Sequence, residues 1–450
     1  MLLRLKKGID LKLSGGIVNP EPKIASVSRV ALTPADFPGM IPKPEVKPGD
    51  HVIAGTPIWH DKNNDNIKVV SPVAGTIKEI ERGEKRRIIR ITIDVDQSQN
   101  ATEPNNSNTD KSVDIKGTIQ KAGLWAMMRQ LPYDIVPVDN HTPANIFISA
   151  WDAAPLAAGF DSYLDGAKLQ YLQKGVTALA SLTSGKVYIG IKAGTQLPPI
   201  ENAEIVDIEG NYPASLPSVL AANVAPVNKG ETVWLLSVET AVRIGQAIEG
   251  TAVDWNLPVA VVGSEIETPS IVKAPAGASV ADILEVAPLK CCNHHIRLIS
   301  GNVFVGEKVL PDEYLRYPYR QLTAIPEGDD RNEFMGWASF SPDKLSKNRS
   351  FPSFFFRSKK FSPDARLNGG RRAMIMSGEY DRYIPMDIMA EYLIKAILAR
   401  DIERMEALGI YEVTPGDFSA AEYADTSKLE LQKIVREGLD YMIKELGTEE

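Results

Sequence analysis

Cysteine is almost missing from this chain: two residues in 450, and they are adjacent, Cys291 and Cys292. That scarcity excludes a disulfide framework, a four-cysteine zinc site and an iron–sulfur cluster held by this chain alone, and it fits a reducing compartment. Long apolar runs are missing as well. No stretch reaches the roughly 18–20 uncharged apolar residues of a membrane-spanning helix. The N-terminus, MLLRLKKGID, brings in Lys6, Lys7 and Asp10 before a signal-peptide core can form, so neither insertion nor export is expected. The chain has five histidines and no recognisable base-and-orienter set among them. It lacks a Gly-x-Ser-x-Gly elbow, a His-Glu-x-x-His metal helix and a Cys-x-x-Cys redox pair. Acidic pairs are plentiful, but 58 acidic residues make chance pairs inevitable.

What is present has an ordinary globular composition, 44% hydrophobic and 24% charged, which argues against wholesale disorder, collagen-like repeats and coiled coils. At about 150 residues per domain, the length suggests roughly three compact units. Fifty basic against 58 acidic residues give a net charge of −8, which speaks against a global nucleic-acid binder. The charge is unevenly spread. From Asp343 to Arg372 nine basic residues stand against two acidic ones, a local +7 that leaves −15 for the rest.

Residues 1–93 show short alternating apolar segments separated by Gly, Pro and Asp, the pattern of an all-β unit with tight turns. Val46 to Ile58 and Ser71 to Ile77 are its clearest pieces, with Gly49-Asp50, Gly55 and Pro72 with Gly75 as chain reversals. Together they resemble the flattened barrel-sandwich of lipoyl and biotinyl carrier domains. A carrier needs a lysine at the hairpin tip with a particular setting; Lys62 is available, but its neighbours are wrong, so it reads as a solvated turn residue. Residues 94–114, DVDQSQNATEPNNSNTDKSVD, hold too few apolar side chains to offset their ordering entropy and read as a linker or insert.

Between residues 115 and 265 strand-length apolar runs alternate with helical patterns: Asn145–Ser149, Lys186–Ile191, Glu204–Ile208, Val233–Ser237 and Val259–Gly263, with helices over Lys168–Leu182 and Thr240–Glu249. That order predicts a mostly parallel, Rossmann-like sheet. The Gly-x-Gly-x-x-Gly run of a dinucleotide site is absent. Gly301 to Lys308 looks like a phosphate loop only in outline, because Glu307 stands where the lysine belongs. Residues 266–327 read as a small β-grasp unit containing Cys291-Cys292-Asn293-His294-His295, the one concentration of soft metal ligands. Neighbouring residues of an extended chain point to opposite faces, so one short segment makes a poor metal site. The segment reads as loop residues ahead of redox-sensitive thiols or a metal site, and no metal is assigned.

Residues 328–382 are irregular. Phe351, Phe354, Phe355, Phe356 and Phe361 lie among Arg349, Arg357, Lys359 and Lys360, a mixture that suits nucleic acid, an anionic membrane surface or a docking partner. The plainer alternative is a loop whose phenylalanines pack beneath it. Residues 383–450 read as helical, with one apolar stripe running from Met389 through Leu393, Ile394, Ile397, Leu398 and Ile402 to Met405 and stopping at Gly409, and a second helix from about Ser427 to Leu446.

Many short motifs, in order along nearly the whole chain, resemble the A-subunit family of bacterial sodium-translocating NADH:quinone oxidoreductases. They include Lys6-Lys7-Gly8-Ile9-Asp10-Leu11, Val46 to Gly55, Arg82-Gly83-Glu84-Lys85-Arg86, Asp152-Ala153-Ala154-Pro155-Leu156, Ser181 to Tyr188, Arg297-Leu298-Ile299-Ser300-Gly301, Glu333 to Ala338 and Gly378-Glu379-Tyr380-Asp381-Arg382. The resemblance implies a peripheral subunit on the cytoplasmic side of the bacterial inner membrane. Its partners would be the other members of a six-subunit complex, a membrane subunit especially, that moves electrons from NADH to quinone and exports Na⁺. It implies an α/β multi-domain fold: barrel-sandwich, Rossmann-like, β-grasp or SLBB-like, and C-terminal helical units. It also implies that this chain alone binds no cofactor, FMN, FAD, riboflavin and Fe–S belonging to partner subunits, and that the isolated chain is not catalytic. No nucleic acid is expected. The alternative is a self-sufficient FMN- and NADH-binding oxidoreductase of the related electron-transport C-subunit type.

Two departures stand out. The family's C-terminal Cys-x-x-x-x-Cys-Pro-Gly-Lys is replaced by Glu422-Tyr423-Ala424-Asp425-Thr426-Ser427-Lys428, and its Pro-Ala-Gly-Leu by Pro213-Ala214-Ser215-Leu216 without a following histidine. A quinone headgroup needs an aromatic or thioether wall with one or two polar partners. Phe37 and Met40 on one loop and Tyr133 on another are the candidates for that contact. Arg357, Lys359, Lys360, Arg371 and Arg372 are the candidates for docking to acidic loops or lipid headgroups.

Overall fold

The computed structural model describes residues 1–96, 114–159, 163–164, 166–331, 333–338, 340–345, 351–356 and 358–448. Most of the 94–114 segment lies outside them, as does Arg357. Both ends of that segment are tied into the fold. Asp94 is part of the strand Ile88–Val95 and pairs with Arg29 at 3.0 Å, and Asp114 caps the helix Ile115–Lys121 by accepting from the Gly117 amide.

The first unit is built from two small antiparallel sheets. One contains Arg29–Leu32, Ile88–Val95, Gly75–Arg82 and His51–Val52, and the other Pro42–Pro44, Pro57–Asp61 and Asn64–Val70. Period-two alternation turns Ile77, Ile91 and Ile93 inward onto Ile58 and Trp59, all of them buried. Gly49 and Gly55, with φ of +91° and +92°, reverse the chain where a side chain would be strained. Lys62 is exposed at the tip between Pro57–Asp61 and Asn64–Val70.

The second unit is a six-stranded sheet in the order Leu2–Arg4, Ala203–Glu209, Val187–Lys192, Asn145–Ser149, Val233–Ser237, Arg129–Leu131. Every pairing is parallel except that of the last strand, and the helices Gly166–Ala180, Pro217–Val224 and Val238–Glu249 connect or flank the strands. Two of these helices cross at glycines. A methyl group at Gly245 would sit 1.8 Å from the Tyr171 carbonyl oxygen, and one at Gly175 2.0 Å from that of Ala241. Bare backbone on both sides is what lets Leu172, Val176, Ala241 and Ile244 close a dry interface.

The third unit is a second six-stranded sheet, ordered Gly306–Val309, Ile296–Gly301, Gln321–Pro326, Asn256–Val262, Ser270–Pro275, Asn19–Ile24. Here the structure corrects two readings of the sequence. The apolar run Val259–Gly263, read as the last strand of the α/β unit, belongs to the strand Asn256–Val262, which pairs with Gln321–Pro326 and Ser270–Pro275 instead. The first residues of the chain are not part of the barrel-sandwich: Leu2–Arg4 edges the α/β sheet and Asn19–Ile24 edges this one. Strand pairing is a long-range choice that local pattern does not encode. The phosphate-loop outline at Gly301 to Lys308 is a β-hairpin. The Asn302 side chain accepts from the Phe304 and Val305 amides at 2.8 and 3.0 Å to hold its turn, while Glu307 and Lys308 pair with Arg316 and Glu327.

Helices Ala390–Ala399, Ile402–Ala407, Ser419–Ala424 and Leu431–Leu446 form the C-terminal unit. The single stripe expected from Met389 to Met405 is broken. Arg400 adopts a left-handed conformation, φ +56°, and Asp401 starts a new helix by capping Arg404, so Met389 and Leu398 face outward while Leu393, Ile394, Ile397 and Met405 are buried. The first helix begins at Ala390. No described helix is long and apolar enough to cross a membrane.

Candidate functional site at the carboxyl edge of the parallel sheet

Open parallel sheets bind ligands beyond the carboxyl ends of their strands, at the point where the strand order reverses. In this chain that point lies between Asn145–Ser149 and Val233–Ser237, which are followed by the turn at Ala150 and by the helix Val238–Glu249. The turn carries Trp151 and Asp152 where a dinucleotide loop would carry glycines. It is stitched down by the Ser149 hydroxyl, which donates to the Ser215 carbonyl at 2.7 Å, and by the Ser215 hydroxyl, which accepts from the Ala153 amide at 3.0 Å. The Ser215 hydroxyl is the atom that ties this loop.

The first turn of the neighbouring helix holds Glu239, whose side chain is 3% exposed, at a helix N-terminus where partial positive charge favours an anion. Arg320 from the strand-entry loop donates to it and also lies 3.9 Å from Asp152. The second Glu239 oxygen has no hydrogen-bond partner among the described residues. Burial raises the Asp152 carboxyl above its ordinary value, with Arg320 pulling the other way. One turn further along, Arg243 is fully buried. It donates to the Asp254 and Trp255 carbonyls at 2.9 and 3.0 Å and lies over the Trp255 ring.

An aromatic slot adjoins this ionic network. Phe37 stacks on Tyr317 with ring centroids 5.3 Å apart and meets Trp59 edge-on at 5.9 Å. Met127, Trp255 and Val70 complete the walls, and the Tyr317 hydroxyl donates to the Met127 carbonyl at 2.9 Å. Asp36, next to Phe37, receives a two-pronged contact from Arg316, while Arg129 donates to the Asp36 carbonyl at 2.6 Å. The open space is about 20 Å³, room for one water molecule.

The structure therefore brings the two quinone-candidate loops side by side, with the Val136 amide donating to the Pro38 carbonyl at 2.9 Å, but it sends their side chains to different places. Phe37 lines the slot, and Met40 packs against the same core. Tyr133, with φ of +82°, is buried edge-on to Tyr411. It also borders a separate, largely polar cavity of about 350 Å³ together with Gln130, His141, Thr142 and Glu231.

Of the docking candidates, Lys359 pairs with Asp343 and lies over the rings of Phe356 and Phe361, Lys360 is exposed, and Arg371 pairs with Glu430 at 2.6 Å. Arg372 is exposed, with its amide bonded to the Ser427 carbonyl. Phe361 is buried against Leu13, as the packing alternative requires, but Phe334, Phe340 and Phe355 are 91%, 86% and 81% exposed. In the segment 422–428, Asp425 accepts from the Ser427 and Leu429 amides and closes a turn.

Sequence reasoning missed Asp36, Glu239, Arg243, Arg316 and Arg320. The available signal was an acid and an arginine four residues apart on the first turns of a helix directly after a buried strand. It also missed Glu265, which the fold places beside Cys292 and His294.

Comparison with known proteins is consistent along the chain. Residues 3–96 match the NqrA N-terminal barrel-sandwich hybrid domain, residues 110–252 the NqrA second alpha/beta domain and residues 258–310 the NQRA C-terminal domain. The A-subunit of the Na(+)-translocating NADH-quinone reductase of Rhodopirellula baltica is 30% identical over 454 aligned positions, covering 98% of both chains. That of Yersinia pestis is 30% identical over 99% of this chain and 100% of its own, and that of Pasteurella multocida 29% over the same shares. A chain from a crystal structure of an NAD⁺-reducing [NiFe]-hydrogenase aligns over 41% of each chain at 13% identity, with a TM-score of 0.31. The full-length match, with three domain models falling in sequence order on the three sheet-bearing units, means that the chain belongs to the A-subunit (NqrA) family of Na⁺-translocating NADH-quinone reductases.

Proposed function

We propose that this chain works as a peripheral, non-flavin component of a Na⁺-translocating NADH-quinone reductase, on the cytoplasmic side of the bacterial inner membrane. The observation that carries the reading is its colinear relation to A-subunit proteins over 98% of both chains. Three features of the structure support its finer parts. At the sheet's switch point the chain's own Glu239 carboxylate, held by Arg320, already occupies the helix N-terminus, where a phosphate would otherwise bind. The exposed phenylalanines and cations between residues 334 and 372 supply an amphipathic surface for a membrane partner. The slot of Phe37, Met127 and Tyr317 offers an aromatic and thioether wall with a hydroxyl beside it, and a quinone headgroup enters it only when Phe37 swings off Tyr317.

Purification of an affinity-tagged chain from membranes tests the central reading: the integral membrane subunits of the complex should accompany it. Titration of the purified chain with FMN and with NADH tests the rest. Micromolar binding of either would overturn the non-flavin role in favour of a self-sufficient oxidoreductase. A photoreactive quinone should label the Phe37–Met40 peptide. Label confined to the Gln130–Tyr133 peptide would move quinone contact to the polar cavity.

A further inference from the structure

We propose that Glu265, Cys292 and His294 form a binding site for a thiophilic divalent cation, zinc foremost. Their ligand atoms all lie within 4.8 Å of one another. A tetrahedral zinc ion with bonds of about 2.0–2.3 Å holds its ligand atoms roughly 3.3–3.6 Å apart, so small side-chain adjustments convert the present cluster into a coordination sphere. Two ligands come from the three-residue bend Cys292-Asn293-His294, and the third comes from a segment almost thirty residues earlier. This is why the sequence pattern alone did not reveal the set.

The backbone holds the two limbs together. Ile266 bridges Leu289, the Lys290 amide donates to the Glu265 carbonyl at 2.8 Å, and the Glu267 amide donates to that of Pro288 at 2.9 Å. Glu265 is buried. One of its carboxylate oxygens accepts from the Ser264 hydroxyl at 2.8 Å and the other lies 2.9 Å from His294 Nε2, so an outer partner already orients the ligand. Lys290 is turned away to the Ser264 carbonyl. A hydrogen bond accounts for Glu265 and His294 but not for the thiol that converges on them. Cys292 Sγ lies 3.5 Å from the His294 carbonyl, while its neighbour Cys291 is exposed and outside the cluster. Binding releases the Cys292 proton to water, and His294 ligates as the neutral imidazole through Nε2, its single ring proton carried on Nδ1. One thiolate and one carboxylate then balance the two charges of the ion, and the fourth position is left to water.

The test uses the full chain and the metals alone. Cobalt(II) should bind at one equivalent with a thiolate-to-metal charge-transfer band that survives in Cys291→Ser and vanishes in Cys292→Ser. Zinc affinity should fall by about 100-fold or more in Cys292→Ser and His294→Ala, beyond the range that outer partners control, and by about 10-fold or more in Glu265→Gln. Zinc should raise the melting temperature of the native chain and of Cys291→Ser only. No charge-transfer band at stoichiometric cobalt, equal zinc affinity in native and Cys292→Ser chains, or a band that follows Cys291 would overturn the site. If Cys292→Ser does not fold, iodoacetamide labelling of the native chain decides instead: zinc should shield Cys292 and leave Cys291 reactive, and equal labelling of both rejects the proposal.

Discussion

Replacing Arg320 by Gln strands the Glu239 carboxylate at the switch point and withdraws the cation beside Asp152. Removing one partner of a buried ion pair costs about 3–5 kcal/mol, because the remaining charge stays desolvated. Arg320 is 30% exposed and Glu239 3%, which favours the lower end of that range. The helix N-terminus returns about 0.3–1 kcal/mol to the stranded anion, so the net loss should be about 2–3 kcal/mol. For a unit of 150–250 residues, about 2–4 °C per kcal/mol converts this to a fall of about 4–12 °C in the melting transition. The double variant Glu239→Gln/Arg320→Gln removes the buried charge along with its partner and should return to within about 1 kcal/mol of the native chain. Urea denaturation of the native chain, both single variants and the double variant completes the cycle, with a coupling of at least about 1.5 kcal/mol expected. The sign with pH is also fixed: Arg320 is the cation that lowers the raised Asp152 carboxyl, so its loss leaves that carboxyl higher still and the deficit of Arg320→Gln should shrink as the solution is acidified. A single-variant cost under about 1 kcal/mol with additive effects would refute the idea that this pair is a buried, mutually dependent unit.

Gly245→Ala separates helix propensity from packing. Propensity predicts a gain of about 1 kcal/mol, but the 1.8 Å approach to the Tyr171 carbonyl predicts a loss of about 1–3 kcal/mol; a stabilised variant in thermal denaturation would reject the close crossing. Burial raises the Asp417 carboxyl to about 6 although Ser218 and Thr414 donate to it. The folded state thus holds a proton that the unfolded chain releases near its ordinary 3.8, and this stabilisation fades as pH rises through that window. The stability of the native chain relative to Asp417→Asn should fall by about 2–2.5 kcal/mol between pH 4 and 7, and a flat difference would contradict it. Reversing Lys360 and Arg372 to glutamate should leave the melting temperature within about 1 °C, since exposed charges contribute little to stability. It should nonetheless release the chain from membranes at a lower salt concentration than the native chain; unchanged release would exclude those residues from the docking surface.

The units themselves were legible because their signals are local. Alternation marks Ile77, Ile91 and Ile93, and apolar strand runs followed by helical spacing mark Asn145–Ser149 and Val233–Ser237. Pairing was not legible. Leu2–Arg4 is too short to show a period, Asn19–Ile24 contains Pro20 and Pro22 and reads as a turn although an edge strand tolerates proline, and Asn256–Val262 is a continuous apolar run that suits either sheet. The break at Arg400 was hidden because an arginine in the left-handed region leaves no mark in a hydrophobicity pattern. The candidate site was hidden for a related reason: Glu239, Arg243 and Arg320 look like surface residues until distant segments bury them against one another. Lys62 and the missing glycine run, in contrast, were decided by residue identity alone.

The exchange of edge strands sets a timetable for synthesis. Leu2–Arg4 pairs with Asp207–Glu209, and Asn19–Ile24 with Ser270–Lys273, so the first two strands made must wait for roughly 200 and 250 further residues. At about 5–20 residues per second, that is a delay of roughly 10–50 s. During it the barrel-sandwich can close on itself while the segment before it stays unpaired and open to chaperones or to a neighbouring nascent chain. The two sheets lock only when the strands Ala203–Glu209 and Ser270–Pro275 emerge. The same threading then makes the finished molecule hard to take apart one domain at a time, because the barrel-sandwich is followed in the chain by the very strands that anchor the segment preceding it.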